Sequence, residues 1–316
     1  MKRFFVKSIC LILSVGVLFY GLILAMICLP KPAAYAEHYQ RGFVYQYRAL
    51  ERAEGRKIVT LGGSNVAYNV NTDLLGELTG IPAYNLGVNG SMGYSYILDC
   101  AKKFIGEGDI VIYPLWNFEK DDYGMELIWL TLEGESDMVF DLIASHPLKA
   151  LSTIGSFGLK KTYALALGNR LDGYSETEGY SADAFDPETG NYIYERVAPT
   201  LAEPVMESIK FSCTRSTLSD WCVSAMNEFT AWCRARGAQV YFVFPTLMRA
   251  SVIETDEQLR AYQSEVEAAF DAEFIMDVLD ACYDYEFYFN LPTHLNSAGM
   301  DVYTAEIAQG ILSAIA

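Results

Sequence analysis

Hydrophobic and polar residues alternate along most of the chain in the pattern of an α/β protein. Short runs rich in β-branched and aromatic residues predict five strands, at 57–62, 82–87, 109–115, 238–245 and 273–278. Amphipathic stretches between and after them predict helices at 71–80, 94–108, 215–236, 255–270 and 297–315. Strands that alternate with helices over short loops are typical of a parallel sheet with helices on both faces. The pattern therefore predicts a three-layer α/β/α domain with a five-stranded parallel sheet.

Residues 119–212 interrupt this alternation. They are rich in Tyr, Gly, Asp and Glu and contain only short helical pieces. We interpret them as an insertion after the third predicted strand, placed to cap the carboxyl edge of the sheet. The predicted organisation is a cytoplasmic tip with a membrane anchor at 1–30, a connector at 31–55 and an extracytoplasmic domain at 56–316.

The N-terminus carries an uncharged apolar run from Ser8 to Leu29, preceded by three basic residues and no acidic one. A helix over this run, rising about 1.5 Å per residue, crosses a hydrocarbon core of roughly 30 Å. The positive-inside rule keeps residues 1–7 in the cytoplasm and places the chain from Lys31 onward outside. A cleaved signal peptide is the alternative, because an A-x-A site ends at Ala36. The length of the run favours a retained single-pass anchor, and both interpretations place the main domain outside the cytoplasm.

The net charge and the cysteine content limit the classes of partner and cofactor that we expect. The chain has 23 basic and 40 acidic residues, a net charge of −17. Such a surface repels nucleic acid, so we predict no nucleic-acid partner. Seven cysteines at scattered spacings, without a C-x-x-C, argue against a zinc or redox site, and we predict no metal and no cofactor. Most of the thiols are predicted to be buried. The sequence leaves undecided whether two of the outer five cysteines form a disulfide; these are Cys100, Cys213, Cys222, Cys233 and Cys282.

Polar residues follow the predicted strands at the ends where parallel sheets form their sites. The stretch LGGSN places Ser64 after the first strand, NLGVNG places Gly87 after the second, and YPLWN places Asn117 after the third. His294 precedes the last helix, within LPTHLNSAG. A serine hydroxyl becomes nucleophilic when a histidine takes its proton. Attack on an ester creates an oxyanion that needs donors about 3 Å away.

These residue types predict an esterase-like site. We predict Ser64 as the nucleophile and His294 as its base. The Ser64 N–H, the Gly87 N–H and the Asn117 side-chain amide are the predicted oxyanion donors. The two glycines before Ser64 allow the sharp turn that would present its hydroxyl.

The four stretches LGGSN, NLGVNG, YPLWN and LPTHLNSAG resemble the sequence blocks of the SGNH (GDSL-type) hydrolase superfamily. The resemblance is closest to its membrane-anchored bacterial branch, which includes D-alanine transfer proteins of lipoteichoic acid and polysaccharide O-acetylation proteins. It covers about residues 57–118 and 215–315 and implies a flavodoxin-like sheet, with the site roles given above. It also implies acyl-ester hydrolysis or O-acyl transfer on a cell-envelope polymer through a Ser64 acyl-enzyme. A multispanning membrane acyl donor protein is the implied partner.

Two positions depart from that superfamily. LWNF stands where the family has G-x-N-D around Asn117, and no Asp occupies the few positions before His294. Asn290 could orient the imidazole through its amide oxygen, and Asp284, Glu286 or a backbone carbonyl are alternatives. In serine proteases the loss of a charged orienting residue costs about 10⁴ in turnover. A non-catalytic envelope binding or assembly module therefore stays open. A secreted esterase stays open as well, if the chain is cleaved after Ala36.

Overall fold

The computed structural model describes residues 2–29, 35, 37–120, 122–166 and 179–316. The chain divides into two compact units. The first, here the N-terminal unit, comprises Met1–Arg41 and Gly124–Ala182, and the second, here the sheet unit, comprises Gly42–Tyr123 and Asp183–Ala316. All of the predicted site residues belong to the sheet unit.

The sheet unit contains the predicted five-stranded parallel sheet. The strands in chain order are β1 (Ile58–Leu61), β2 (Ala83–Leu86), β3 (Ile110–Pro114), β4 (Gln239–Val243), β5 (Leu247–Met248), β6 (Glu273–Phe274), β7 (Cys282–Tyr283), β8 (Tyr288–Leu291) and β9 (His294–Leu295). The main sheet has the order β2-β1-β3-β4-β6, with parallel pairing throughout. Strands β1 and β3 are buried along their whole length, as central strands covered on both faces should be. Two small sheets pair β5 with β7 and β8 with β9.

Helices cover the strands and link them. They are α1 (Lys2–Ile27), α2 (Arg41–Arg52), α3 (Ser64–Asn69), α4 (Thr72–Thr79), α5 (Tyr94–Ala101), α6 (Met125–Thr131), α7 (Ser136–Ser145), α8 (Pro147–Ala166), α9 (Glu203–Ser208), α10 (Asp220–Arg234), α11 (Asp256–Ala269) and α12 (Ser297–Ile315). Helix α4 packs on β2, α10 packs on β4, and α12 packs on α3 and α4. The last helix therefore contacts the segment that directly follows β1.

Local signals in the sequence set several helix ends. The Asn71 side chain accepts a hydrogen bond from Leu74 N–H at 3.2 Å and caps α4, which ends at Gly80 with φ 70°. A reciprocal capping box between Thr255 and Gln258 begins α11.

Three predicted elements are much shorter in the structure, while most of the others differ by one or two residues at each end. The helix predicted at 94–108 ends at Ala101, and the amides of Lys103 and Phe104 bond to carbonyls three residues back. The helix predicted at 215–236 begins at Asp220, after the capping side chain of Ser219. The fifth strand of the sheet, β6, has two residues. The chain then turns toward α11, where Val278 N–H donates to Gln263 Oε1 at 2.9 Å.

The N-terminal unit contains the apolar helix α1 and the helices α6, α7 and α8. Helix α8 packs against each of the other three. The stretch Lys2–Leu22 of α1 is long and apolar enough to cross a membrane, by length and composition, although a signal sequence passes the same test. The chain is thus compatible with a single-pass anchor. Ala36, where the alternative cleavage site ends, lies outside the described residues.

The boundaries of the predicted connector and insertion do not coincide with those of the two units. The connector, 31–55, contains α2, whose residues Phe43, Tyr47 and Leu50 are buried. The insertion, 119–212, contributes α6 to α8 to the N-terminal unit. From Asp183 onward it belongs to the sheet unit.

Candidate active site

Ser64 and His294 are in direct contact although 230 residues separate them in sequence. Ser64 Oγ lies 2.9 Å from Nε2 of His294, which is buried. Ser64 begins α3 at the carboxyl end of β1, and His294 begins β9, just before α12. Helix α3 packs on both β9 and α12, and this packing brings the two side chains together.

The second imidazole nitrogen of His294 is held by Asn290. Oδ1 of Asn290 lies 2.9 Å from Nδ1 of His294. An amide oxygen only accepts, so this partner assigns the proton to Nδ1 and leaves the Nε2 lone pair facing Ser64. Asn290 thus occupies the orienting position for which Asp284 and Glu286 were the alternatives.

The imidazole of His294 is stacked on a tyrosine. The ring centroids of Tyr68 and His294 are 4.2 Å apart and their planes differ by 7°. The guanidinium carbon of Arg196 lies 5.1 Å from the Tyr68 centroid. Burial first, and then the charge of Arg196, lowers the pKa of His294 to about 3. At neutral pH the imidazole is therefore uncharged and able to accept a proton.

Close backbone approaches explain the glycines around Ser64. A Cβ added at Gly63 would lie 2.6 Å from the amide nitrogen of Gly90, and one added at Gly87 would lie 1.7 Å from the carbonyl oxygen of Gly62. These positions need glycine because one loop crosses another there. The crossing sets the Ser64 turn beside the loop that follows β2.

The structure corrects one predicted oxyanion donor. The N–H of Gly87 donates to Oε1 of Gln46 at 2.8 Å and is thus already used. The missing side chain of Gly87 makes room for a backbone carbonyl, not for a substrate. In the loop that follows β2, Gly90 borders the cavity beside Ser64, together with Asn89 and Ser91.

Asn117, the other predicted donor, does border the cavity. Its Oδ1 accepts a hydrogen bond from Ser219 N–H at 2.8 Å. Ser219 is the N-cap of α10, so Asn117 also ties the end of β3 to that helix. With Oδ1 engaged, Nδ2 is the amide atom that Asn117 can offer to a bound molecule.

A polar cavity of about 380 Å³ opens beside Ser64. Its walls are formed by Ser64, Asn65, Asn89, Gly90, Ser91, Tyr94, Trp116, Asn117, Asp122 and Thr293. Asp122 is the one side chain among them with a formal charge, and its Oδ2 accepts from Tyr94 N–H at 3.2 Å. The cavity is large enough for a small acyl group with part of its alcohol.

Sequence reasoning missed Tyr68, Asp122 and Arg196. Tyr68 had a signal, since it lies four residues after Ser64 and so on the same side of a helix. Asp122 and Arg196 lie within residues 119–212, where no motif or periodicity marked them.

Cysteines and possible metal ligands are both present in the part of the chain that the structure describes. No group of three or more His, Cys, Asp or Glu side chains there could hold a metal ion. All seven cysteines are free thiols in the structure. Burial raises the pKa of Cys222 to about 11 and that of Cys233 to about 12, which fits inert packed thiols.

Comparisons with known proteins give no match among family models, curated proteins or solved structures. What the site can do chemically is therefore argued from its geometry alone. A serine hydroxyl is bonded to a neutral imidazole, whose other nitrogen is held by an amide oxygen, at the carboxyl edge of a parallel sheet. This arrangement can take the proton from Ser64 and make it a nucleophile.

Proposed function

We propose that the chain is an acyl-ester hydrolase or O-acyltransferase of SGNH type that acts through an acyl-enzyme on Ser64. The observation that carries the proposal is the 2.9 Å contact between Ser64 Oγ and His294 Nε2. Asn290 fixes the tautomer in which Nε2 accepts the proton. The polar cavity beside Ser64 offers space for the ester.

The proposed reaction has two stages. Ser64 Oγ attacks the ester carbonyl while His294 Nε2 takes the hydroxyl proton, which forms a tetrahedral oxyanion. The oxyanion collapses, the alcohol leaves with the proton from His294, and the acyl group stays on Ser64. Water or an acceptor hydroxyl then attacks the acyl carbonyl while His294 takes its proton. The bond between the acyl group and Ser64 Oγ breaks as His294 returns that proton to Ser64. Hydrolysis and transfer differ only in this second nucleophile.

Three donors beside the cavity would stabilise the oxyanion. We propose the N–H groups of Ser64 and Gly90 and the Nδ2 of Asn117, all from residues that border the cavity. A well-placed donor of this kind stabilises the transition state by about 3 kcal/mol. The set replaces Gly87, whose N–H is bonded to Gln46.

The fold supports the SGNH assignment in outline. The order β2-β1-β3-β4-β6 corresponds, in strands of the main sheet, to the order 2-1-3-4-5 of flavodoxin-like sheets. We propose that helices on both faces complete a three-layer α/β/α domain. In such sheets ligands bind outside the carboxyl ends of the strands, where Ser64 and Asn117 lie.

The location and partners are part of the same proposal. The apolar helix α1 is compatible with a single-pass anchor that holds the sheet unit at the outer face of a membrane. A domain tethered there would act on a polysaccharide or another acylated polymer of the cell envelope. A multispanning membrane protein would supply the acyl group if the reaction is transfer.

One observation favours a second function. Asn290 brings an amide where catalytic triads carry a carboxylate, so nothing on Nδ1 offsets the charge of a protonated His294. A non-catalytic envelope module that binds a polymer or organises an assembly would tolerate this substitution.

A fluorophosphonate probe separates these functions. The full chain in lipid nanodiscs is treated with the probe, and the adduct is located by mass spectrometry. We expect labelling on Ser64 that is lost in Ser64→Ala and in His294→Ala. Ser91→Ala is the matched control, because Ser91 borders the same cavity, and it should keep the label. A folded protein without a Ser64 adduct would leave the non-catalytic module as the better explanation.

A further inference from the structure

Arg196 is buried beside the tyrosine on which His294 stacks. Its residue is 1% exposed, and its guanidinium carbon lies 5.1 Å from the ring centroid of Tyr68 and 4.7 Å from that of Tyr192. A guanidinium over two aromatic faces is a favourable cation–π arrangement, more so without water. The Tyr68 ring therefore contacts both a fixed cation and the imidazole of His294.

Arg196 is also tied to the segment that carries His294. Its N–H donates to Oγ of Ser297 at 3.0 Å, and Ser297 N–H donates to the carbonyl of Arg196 at 3.0 Å. The guanidinium Nη2 lies 3.2 Å from Sδ of Met300. Ser297 and Met300 belong to the first turn of α12, three and six residues after His294. Contacts of both its backbone and its side chain thus restrict the motion of Arg196 relative to His294.

The side chains that contact the imidazole of His294 carry no charge, whereas Arg196, next to the Tyr68 ring, is a cation. From α3, Ser64 faces Nε2 and Tyr68 covers a ring face; from β8, Asn290 faces Nδ1. These three are uncharged near neutral pH. Among the residues that the structure describes, Arg196 is the charged group that lowers the pKa of His294, and its effect adds to that of burial. In a water-excluded site a like charge acts over several ångströms with little screening.

We propose that Arg196 is a positioning residue that keeps His294 unprotonated through its charge and through the Tyr68 stack. This rests on the proposed role of His294 as the base for Ser64. The arrangement is opposite in sign to a triad carboxylate, which stabilises the imidazolium. It keeps His294 ready to accept a proton in acidic surroundings, well below the pH at which an ordinary histidine becomes charged.

Titration of His294 tests the proposal directly. The chain has three histidines, so ring-labelled histidine gives three NMR signals, and His294→Gln identifies the relevant one. We compare the full chain in nanodiscs with Arg196→Gln and Arg196→Lys. In Arg196→Gln the pKa of His294 should rise by about one unit or more, because a like charge is removed. In Arg196→Lys, which keeps the charge, it should stay near that of the unsubstituted chain.

Labelling of Ser64 gives a second readout. The pH below which fluorophosphonate labelling fails should rise in Arg196→Gln by the same amount as the pKa of His294. Arg260→Gln is the matched control, since Arg260 is an exposed cation paired with Asp277 at 2.8 Å. It should change neither readout. If Arg196→Gln does not fold, Arg196→Met, which keeps much of the aliphatic length, carries the same expectation.

The outcomes separate the two proposals. An unchanged pKa of His294 in Arg196→Gln overturns the role of Arg196. An equal rise in Arg196→Gln and Arg196→Lys also overturns it, because lost packing and not lost charge would then be the cause. A shifted pKa of His294 in a chain that never labels at Ser64 supports the role of Arg196 but contradicts the proposed catalytic function.

Discussion

The amide oxygen of Asn290 lies 2.9 Å from Nδ1 of His294, at the position where a catalytic triad places a carboxylate. The contact fixes the tautomer but adds no negative charge. It also joins two strands of a small sheet, since Asn290 is in β8 and His294 is in β9. The local fold therefore supplies the orientation of His294, the proposed base, while its basicity stays low.

Asn290→Asp should strengthen the base. A carboxylate at this distance raises the pKa of an imidazole by about 1–3 units. It also stabilises the imidazolium that forms when Ser64 gives up its proton. We expect fluorophosphonate labelling of Ser64 at neutral pH to be at least about tenfold faster, since the reverse change in serine proteases costs about 10⁴. The measurement is the second-order labelling rate constant.

Asn290→Leu is the matched control for that change. It is similar in size but offers no acceptor to Nδ1, so labelling should become slower. Unchanged labelling in both variants, with thermal unfolding also unchanged, would mean that the site does not use His294 as its base.

Asn117→Asp tests whether Asn117 is an oxyanion donor, as proposed, while sparing the fold. The substitution keeps an oxygen for Ser219 N–H, the bond that anchors α10, but removes the Nδ2 donor. We expect hydrolysis of 4-nitrophenyl acetate to fall by about 10²–10³, the range for loss of one oxyanion donor. The melting temperature should change little.

Asn117→Ala provides the comparison. It removes both the donor and the anchor, so it should lose activity and stability together. Full activity in Asn117→Asp would exclude Asn117 from the oxyanion site.

The sheet could be predicted from sequence because its central strands are apolar on both faces. β1 and β3 are continuous buried runs, and this signal is local. The short β6 could not be predicted, since the chain leaves the sheet through a bond to Gln263 on another element. The split of residues 119–212 between the two units depends on tertiary contacts that no local pattern encodes.

In the candidate site, too, some features could be predicted from the sequence and others could not. Ser64, Asn117 and His294 could be placed at one edge because the carboxyl ends of parallel strands converge. Gly87 and Gly90 lie three residues apart in one loop, and only the contact with Gln46 shows which amide is already used. Arg196 could not be found, since its effect on His294 arises through a stack of rings from distant segments.

Gly87→Ala should be strongly destabilising. The added Cβ would lie 1.7 Å from the carbonyl oxygen of Gly62, so the two loops must separate. We expect the free energy of unfolding to fall by at least about 3 kcal/mol, which is the upper end of the range for overpacked interior sites. Urea denaturation followed by circular dichroism measures it.

Gly76→Ala is the matched control for that clash. Gly76 lies within α4, and a Cβ there would be 3.5 Å from its nearest neighbour, an ordinary contact. Alanine in a helix is favoured over glycine by about 1 kcal/mol, so this variant should be slightly more stable. Equal effects of the two substitutions would contradict the close crossing of the loops.

The buried pair of Lys57 and Asp109 should stabilise the start of the sheet. Lys57 Nζ lies 2.8 Å from Asp109 Oδ2, and both side chains are buried. Asp109→Leu leaves the Lys57 charge without this partner and should cost about 3–5 kcal/mol. In Lys57→Met with Asp109→Leu the cost should be smaller than the sum of the single changes, and a double-mutant cycle measures the coupling. Strict additivity would show that the pair does not interact energetically.

Glu254 should make stability depend on pH. Burial raises the pKa of its carboxyl, but hydrogen bonds from Cys213 N–H and Ser212 Oγ, together with Arg249, outweigh burial and lower the pKa below 4.5. A carboxyl with a lowered pKa in the folded state stabilises the fold above its unfolded pKa. That stability is lost as the pH falls through its folded pKa.

Glu254→Gln should therefore be less stable than the unsubstituted chain at pH 7, by about 1–3 kcal/mol for charged hydrogen bonds. The difference should shrink as the pH falls below about 4, because the carboxyl then becomes protonated in both states. Urea denaturation at a series of pH values measures this difference. Glu265→Gln is the matched control, since Glu265 is exposed on α11, and its effect should be small at every pH. A difference for Glu254→Gln that stays constant from pH 7 to about pH 3 would mean that the charge of Glu254 does not contribute to stability.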